Sequence, residues 1–244
     1  MWLILSENSD RDATVLATRL RGCGLDPLVH VTAEQLGFAR WVYHSGTAGE
    51  SAELRLPGDI VVSSGDLRGV VNRLLAVPAS ALAQVAKSDR DYASAELMAL
   101  YISWLSGLPC PVLNRPTAST LCGFWPDNSE WIRRAFSAGL PAEPFVWRSS
   151  EAPNAAPPPP RLEADETIET VFVLDGKVIG GPVPEDSVAA CARFALRTGN
   201  RLIGMLFAAG PDGPRRFLDA TPIPYLSAAP DETIAAIAER LARS

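Results

Sequence analysis

The sequence predicts an α/β protein in which an amino-terminal domain built on a parallel sheet precedes a carboxy-terminal α+β subdomain. Apolar runs at 2–5 and 27–31 flank an amphipathic segment at 12–21, and this β-α-β order is typical of a parallel sheet covered by helices. Beyond residue 167, apolar strand pairs joined by Asp-Gly turns alternate with helical patterns. The second half is therefore expected to hold antiparallel hairpins packed with helices.

The rest of the amino-terminal half is expected to contain short strands and longer helices. Apolar residues at helical spacing predict a helix at 67–75, and a longer helical pattern spans 79–108 with a break expected at 87–91. Asp127 indicates a helix N-cap, and Gly139 would end the helix that follows it. The predicted strands are apolar runs between turn residues: 41–44, 52–56, 59–62 and 111–114.

Residues 151–160, which end in four consecutive prolines, divide the two halves. This composition favours extended polyproline geometry over helix or interior strand, so the segment is expected to be a connector. The expected boundaries are an amino-terminal domain at 1–145, a Pro-rich connector at 146–166 and a carboxy-terminal subdomain at 167–244. The elements expected in that subdomain are hairpins at 167–179 and 202–219 and helices at 186–197 and 231–242.

Composition and charge exclude several classes of function. The formal net charge of −6 and a pI near 5.0 argue against broad binding to nucleic acid, which needs a basic face. The apolar run at 2–5 is too short for a signal peptide, and no run reaches about 20 apolar residues, so neither export nor a membrane span is expected. The four cysteines form no C-x-x-C pair, which favours buried free thiols. We therefore expect a cytoplasmic protein.

Four short motifs carry a resemblance to a known family. Residues 171–178 read Val-Phe-Val-Leu-Asp-Gly-Lys-Val, residues 202–207 read Leu-Ile-Gly-Met-Leu-Phe, and an Asp-Gly turn precedes Leu-Asp-Ala-Thr-Pro-Ile-Pro at 218–224. Before them, residues 137–144 read Ser-Ala-Gly-Leu-Pro-Ala-Glu-Pro. In this order the chain from 110 to 244 resembles the ATP-grasp ligases, above all those that join amino acids to peptides or proteins. The first domain would then be the pre-ATP-grasp-like domain and the last one an ATP-grasp-like subdomain.

The resemblance implies an activity that the residues do not support. ATP-grasp ligases convert a carboxylate to an acyl phosphate with the help of lysines, a glycine-rich flap and carboxylates that hold Mg²⁺. The expected metal ligands fall on Leu206, Asp219 and Thr221. The middle nucleotide-binding subdomain, which carries the flap in the ligases, is expected at about 146–168, but the Pro-rich connector stands in its place and no lysine or glycine lies at 141–173. The chain is therefore expected to lack that subdomain. Two of the 22 basic residues are lysines. We therefore expect no catalytic residue, no metal site, and no tight binding of ATP or Mg²⁺.

Five residues are candidates for binding a ligand: Arg73, Asp91, Asn114, Arg115 and Asp219. Asn114 and Arg115 follow a predicted strand, and open α/β sheets bind ligands at the carboxyl ends of their strands. Arg115 could hold a carboxylate or phosphate through two hydrogen bonds, although a simple turn explains it equally well. Arg73 and Asp91 are more often surface residues of helices, and Asp219 is the metal-ligand position that keeps a carboxylate.

No standard enzyme motif occurs in the sequence, so the leading interpretation is a non-catalytic binding or assembly protein that partners a biosynthetic enzyme. Apolar surface left by a missing subdomain would need cover, which predicts a homodimer or a heteromeric protein partner. The alternatives are an ATP-dependent carboxylate–amine ligase, or another enzyme acting on a carboxylated small molecule, and a metabolite sensor. A small carboxylated or phosphorylated molecule is a candidate ligand.

Overall fold

Residues 1–47, 49–144, 162–210 and 215–243 are described by the structure, which is a computed structural model. They form a mixed α/β fold with one parallel and two antiparallel sheets, which confirms the predicted fold class. The chain divides into two compact units, unit 1 at 1–124 and 225–244 and unit 2 at 125–224. The predicted connector at 151–160 and the Asp-Gly turn at 212–213 lie outside the described residues.

Unit 1 is built on a parallel sheet of strand order β2-β1-β6-β7. Its central strand β1 is buried at all five residues, as expected of a strand covered on both faces. Asp10 caps the first helix by accepting a hydrogen bond from the backbone N–H of Ala13 at 3.1 Å. The elements that form this part of unit 1 are β1 Trp2–Ser6, α1 Arg11–Gly22, β2 Leu28–Thr32, α2 Ala33–Gly37, β6 Gly69–Arg73 and β7 Val112–Leu113.

The prediction of a helix at 67–75 is wrong, because residues 69–73 of this segment form strand β6. All five residues of β6 are buried, and the strand lies between β1 and β7 in the parallel sheet. A strand buried on both faces is apolar at consecutive positions, so its spacing cannot be distinguished from that of a buried helix. The adjacent β-branched residues Val70 and Val71 were the signal for a strand.

A three-stranded antiparallel sheet and a long helix complete the core of unit 1. Trp41 of this sheet contacts the rings of Tyr101 and Trp104 edge-on, at centroid distances of 5.4 and 5.0 Å. The long helical pattern at 79–108 is an α-helix only from Arg90 onward, and two 3₁₀ turns stand where its first part was expected, so there is one helix and not a helix divided in two. The elements concerned are β3 Arg40–Gly46, β4 Gly49–Leu56, β5 Ile60–Ser63, the turns Ala79–Leu82 and Lys87–Asp89, and α3 Arg90–Gly107.

Unit 2 is an antiparallel sheet of order β11-β10-β8-β9 packed with two helices. The predicted turn between β8 and β9 is confirmed, since Asp175 and Gly176 both have positive φ, of 46° and 77°, as a type I′ hairpin turn requires. Phe194 lies between the rings of Trp131 and Phe217 in the core. The elements are α4 Asn128–Ala138, β8 Thr167–Leu174, β9 Lys177–Gly180, α5 Glu185–Thr198, β10 Leu202–Ala209 and β11 Arg216–Thr221.

The last helix, α6 Asp231–Ala242, belongs to unit 1, whereas the boundary expected from the sequence groups it with the hairpins. It packs against α1, and Arg19 of α1 donates a hydrogen bond to Asp231 at 2.7 Å. Among the described residues, no helix has both the length and the apolar character that crossing a bilayer requires.

Candidate functional site

Arg73 lies at the carboxyl end of β6, where its register partner on β1 is Ser6. Its side chain is 4% exposed and lies between two acids: Nε is 2.7 Å from Asp10 Oδ2, and Nη2 is 3.1 Å from Asp12 Oδ2. Asp10 is the N-cap of α1 and Asp12 lies in its first turn, so both acids follow the short loop after β1. The carboxyl edge of the sheet therefore holds a buried arginine that two carboxylates already neutralise.

Asp12 also holds the returning carboxy-terminal segment. Its two carboxylate oxygens accept hydrogen bonds from the backbone N–H groups of Leu226 and Ser227, at 3.0 and 2.6 Å. Removing one partner of a buried ion pair leaves an uncompensated charge and costs about 3–5 kcal/mol. The cluster of Asp10, Asp12 and Arg73 is thus a structural connection between the sheet and residues 226–227.

Ser6 and His30 form a partly buried pair beside this cluster. Ser6 Oγ is 2.8 Å from His30 Nε2, and Ser6 is fully buried. Burial lowers the pKa of His30, and the nearby Asp10 carboxylate offsets part of that decrease. Because the Ser6 hydroxyl has no access to solvent, this pair has the contacts of a nucleophile and base without the exposure that a nucleophile needs.

Asn114 is buried after β7, and its backbone carbonyl accepts a hydrogen bond from Asn72 Nδ2 at 2.9 Å. The same amide group donates to the carbonyl of Leu121 at 2.6 Å. Asn72 lies on β6, the neighbour of β7, so this contact joins two adjacent strand ends of the sheet. Asn114 therefore follows the strand next to the one that ends in Arg73. The surface position on a helix that the sequence favoured for Arg73 is wrong, because Arg73 is buried at the end of strand β6.

Arg115 stabilises the end of α3. Its Nη1 donates to the carbonyls of Leu105 and Ser106, and its Nη2 donates to those of Leu108 and Cys110. Carbonyls in the last turn of a helix have no partner within the helix. A cation there also interacts favourably with the negative end of the helix dipole. Of the two interpretations of Arg115, the structure thus displays the structural one, a side chain that joins a turn to a helix end.

Asp91 lies in the first turn of α3 and is exposed to solvent. An acid in the first turn of a helix interacts favourably with the positive end of the helix dipole.

Asp219 lies in unit 2, on β11, and its register partner on β10 is Leu206. The two positions at which the ligase motifs place carboxylates are therefore neighbours across one strand pair. Burial raises the pKa of Asp219, while hydrogen bonds from the backbone of Ala220 and the side chain of Asn128 offset part of that rise. Leu206 contributes no oxygen, so this strand pair offers a single carboxylate.

Mg²⁺ prefers octahedral oxygen coordination and is usually bound through one or two carboxylates together with substrate phosphates. The part of the chain that the structure describes contains no group of three or more His, Cys, Asp and Glu side chains that could hold a metal ion. At this strand pair Asp219 supplies one carboxylate, and the Leu206 side chain supplies no oxygen.

Sequence reasoning missed the contacts of Asp10, Asp12 and His30. Asp10 and Asp12 lie at the start of α1, where acids are common, but their second role depends on an arginine more than 60 residues away. The sequence did contain a pattern: an apolar run is followed by two acids, and a later apolar run ends in Arg. His30 carried no signal, because it lies in an apolar strand with no motif around it.

The fold is similar to those of solved ATP-grasp ligases. The ATP-grasp ligase PsnB in complex with a minimal precursor, Mg and ADP matches with a TM-score of 0.68 and 16% identity, over 100% of this chain and 98% of that one. The macrocyclase MdnC from Microcystis aeruginosa MRC, bound with precursor peptide MdnA, gives a TM-score of 0.66 and 11% identity over 97% and 98%. The D-cycloserine synthetase DcsG gives 0.52 and 13%, over 98% and 99%.

No family model and no curated protein matches the chain. The similarity to the solved ligases therefore defines the class by its fold: this chain has an ATP-grasp-like fold, as its motif order indicates. At these low identities the comparison concerns the fold and does not extend to the reaction.

Proposed function

We propose that the chain is a non-catalytic, ATP-grasp-like binding or assembly protein that works with a biosynthetic enzyme. The observation that carries this proposal is the register pair Leu206–Asp219, in which a leucine takes the place of a metal-binding carboxylate. Phosphoryl transfer to a carboxylate depends on metal ions that bridge and neutralise the phosphates. A strand pair with one carboxylate supplies few of the ligands that those metal ions need.

The arginines of unit 1 support the same proposal. Arg73 is neutralised by Asp10 and Asp12, and Arg115 donates to four backbone carbonyls. Binding a phosphate through either guanidinium would require these internal contacts to be given up. The free energy of those contacts would then oppose the binding of a nucleotide.

The partner that we propose is a protein, either a second copy of this chain or a heteromeric partner such as a biosynthetic enzyme or its peptide substrate. The ligase PsnB has been solved in complex with a minimal precursor, and the macrocyclase MdnC in complex with the precursor peptide MdnA. A chain that retains their fold without their metal ligands could retain the capacity to hold a peptide. Mg²⁺ and ATP are not required for that role.

Calorimetric titration with Mg²⁺-ATP tests the proposal. We expect no heat of binding at micromolar concentrations of protein and nucleotide. A dissociation constant in the micromolar range, lost in Asp219→Asn but kept in the control Asp165→Asn, would contradict it and would support a ligase acting on a carboxylated molecule. The Asp165 side chain is exposed to solvent, so the control removes one negative charge without disturbing the strand pair.

A metabolite sensor is a second candidate, supported by the polar, buried strand ends at Asn72, Arg73 and Asn114. Ligands of open α/β sheets bind at such ends. Thermal melting across a panel of small carboxylates and phosphates separates this candidate from the first. The melting temperature of a sensor would rise with its own ligand and not with the other members of the panel.

A further inference from the structure

A cavity of about 550 Å³ lies in unit 1, at the end of the parallel sheet opposite to Arg73 and Asn114. Its volume is within the range of roughly 300–1,000 Å³ that is usual for small-molecule sites. Trp2 at the start of β1 contributes to its wall, together with residues 23–25 after α1 and one face of α6. The cavity shares no residue with the candidate site described above.

The shape of the cavity follows from small side chains on α6. Ala235, Ala238 and Ala242 lie three and four residues apart and line the same side, so the helix presents no long side chain there. Leu25 and the buried ring of Trp2 add apolar surface. The walls of the cavity are therefore mainly apolar and carry no long aliphatic side chain from α6.

Arg68 is the cation of this cavity. Its guanidinium carbon lies 5.1 Å from the centroid of the Trp2 ring, which is a cation–π distance. The Trp2 ring is itself held in place by a hydrogen bond from its indole N–H to the carbonyl of Leu241, at 3.2 Å. The guanidinium makes no hydrogen bond to any residue within the described ranges, so its N–H groups are available to an anion.

The second charged residue of the cavity limits the charge of the ligand. Glu239 also lines the cavity, and it forms an ion pair with Arg243 one turn along α6. A carboxylate that lines the same cavity as Arg68 would repel a doubly charged phosphate more strongly than a singly charged group. The cavity thus combines apolar walls with one free guanidinium and favours a monoanion.

We infer that this cavity binds a small carboxylate with a flat apolar body, whose carboxylate group pairs with Arg68 while its body packs on Trp2 and the alanines of α6. Arginine pairs with carboxylates through two parallel N–H···O bonds, and the Arg68 guanidinium already lies against the Trp2 ring beside the cavity. The site is independent of the proposed function, because it uses none of the residues on which that proposal rests.

Cys23 allows the inference to be tested without knowing the natural ligand. It lines the cavity and is exposed, whereas the other three cysteines are buried. Burial also raises the pKa of Cys110, Cys122 and Cys191, which suppresses the reactive thiolate form. Alkylation by N-ethylmaleimide, followed by intact-mass spectrometry, should therefore modify Cys23 first and report whether the cavity is occupied.

The experiment compares 2-naphthoate with the neutral 2-naphthamide and the dianionic 2-naphthyl phosphate. We expect 2-naphthoate to slow the alkylation of Cys23 saturably and at lower concentration than either analogue. In Arg68→Gln the affinity for 2-naphthoate should fall by about tenfold or more, as expected for a lost charge-assisted hydrogen bond. In Ala235→Trp, where an exposed alanine is replaced by a side chain that fills the cavity, protection should be lost.

The control is Arg11→Gln, which removes an exposed arginine on α1 away from the cavity and should leave the protection unchanged. Circular dichroism of each variant checks that the fold is kept. Equal protection by the three probes, protection that survives in Arg68→Gln, or no protection by 2-naphthoate in the unmodified protein would each overturn the inference.

Discussion

The arginines of this protein act mainly as structural residues. Arg73 joins the end of a strand to two acids of α1, and Arg115 binds the carbonyls at the end of α3. A guanidinium can satisfy several acceptors at once and stays charged when buried, which suits it to both roles. Arg68 differs from them, because its described partner is an aromatic ring and its N–H groups stay available.

At this scale we predict that Arg73→Met destabilises the protein by about 3–5 kcal/mol, because Asp10 and Asp12 would lose the cation between them. Urea denaturation at neutral pH measures the loss. The exposed Arg11→Met serves as the matched control and should stay within about 0.5 kcal/mol of the unmodified protein. A small effect of Arg73→Met would show that the cluster is solvated and not structural.

Asp219 provides a pH-dependent prediction. Burial raises its pKa in the folded state above that of the unfolded chain, so the ionised carboxylate disfavours folding at neutral pH, and this penalty is relieved as the pH falls through the folded pKa. Asp219→Asn should therefore be stabilised relative to the unmodified protein at pH 7, with a smaller difference near pH 4. Urea denaturation at both pH values measures it.

The opposite trend, or a difference independent of pH, would contradict the assigned cause of the pKa shift. Asp165→Asn, at an exposed carboxylate, controls for the change in net charge alone.

At the scale of elements, the helices that begin and end with local signals match their sequence patterns. Asp127 accepts a hydrogen bond from the backbone N–H of Glu130 at 3.0 Å, and Gly139 ends α4 with a φ of 83°. These features depend on residues within four positions of each other, so a short window of sequence contains them. Strand β6 lacked such signals, since its spacing fits both a helix and a buried strand.

We predict that Asp127→Ala lowers the free energy of unfolding by about 1 kcal/mol, whereas Asp127→Ser, which can still cap the helix, loses much less. A hydrogen bond from the Ser129 side chain and another from the Glu130 backbone lower the pKa of Asp127. The cap therefore contributes fully to stability above the ordinary pKa of an aspartate, and this contribution is lost as the pH falls through the lowered pKa. Urea denaturation of both variants checks the order. Equal losses for Ala and Ser would show that the cap is not formed.

At the scale of the whole molecule, the ATP-grasp-like fold is retained while the pair Leu206–Asp219 keeps one carboxylate. A fold is defined by its packing, and an activity by a few residues at one site, so the second can be lost without the first. The exposed apolar side chains on each unit, such as Tyr92 and Leu196, remain candidates for contact with a partner.

We expect the protein to associate, either with itself or with a partner protein, and sedimentation velocity of the purified chain tests the first case. A homodimer would sediment at twice the chain mass of 26.1 kDa across the concentration range. A monomer at all concentrations would contradict the prediction of self-association. Only the prediction of a heteromeric partner would then remain.

The sequence by itself determined the fold class, the hairpin turn at 175–176, the caps of α4 and the position of Asp219, because each depends on local patterns or on a known motif order. Only the tertiary structure decided that β6 is a strand, that Arg73 contacts Asp10 and Asp12, and that α6 packs with unit 1. The cavity beside Trp2 belongs to the second group as well. These features arise when distant segments pack together, and packing between distant segments leaves no periodic trace in one sequence.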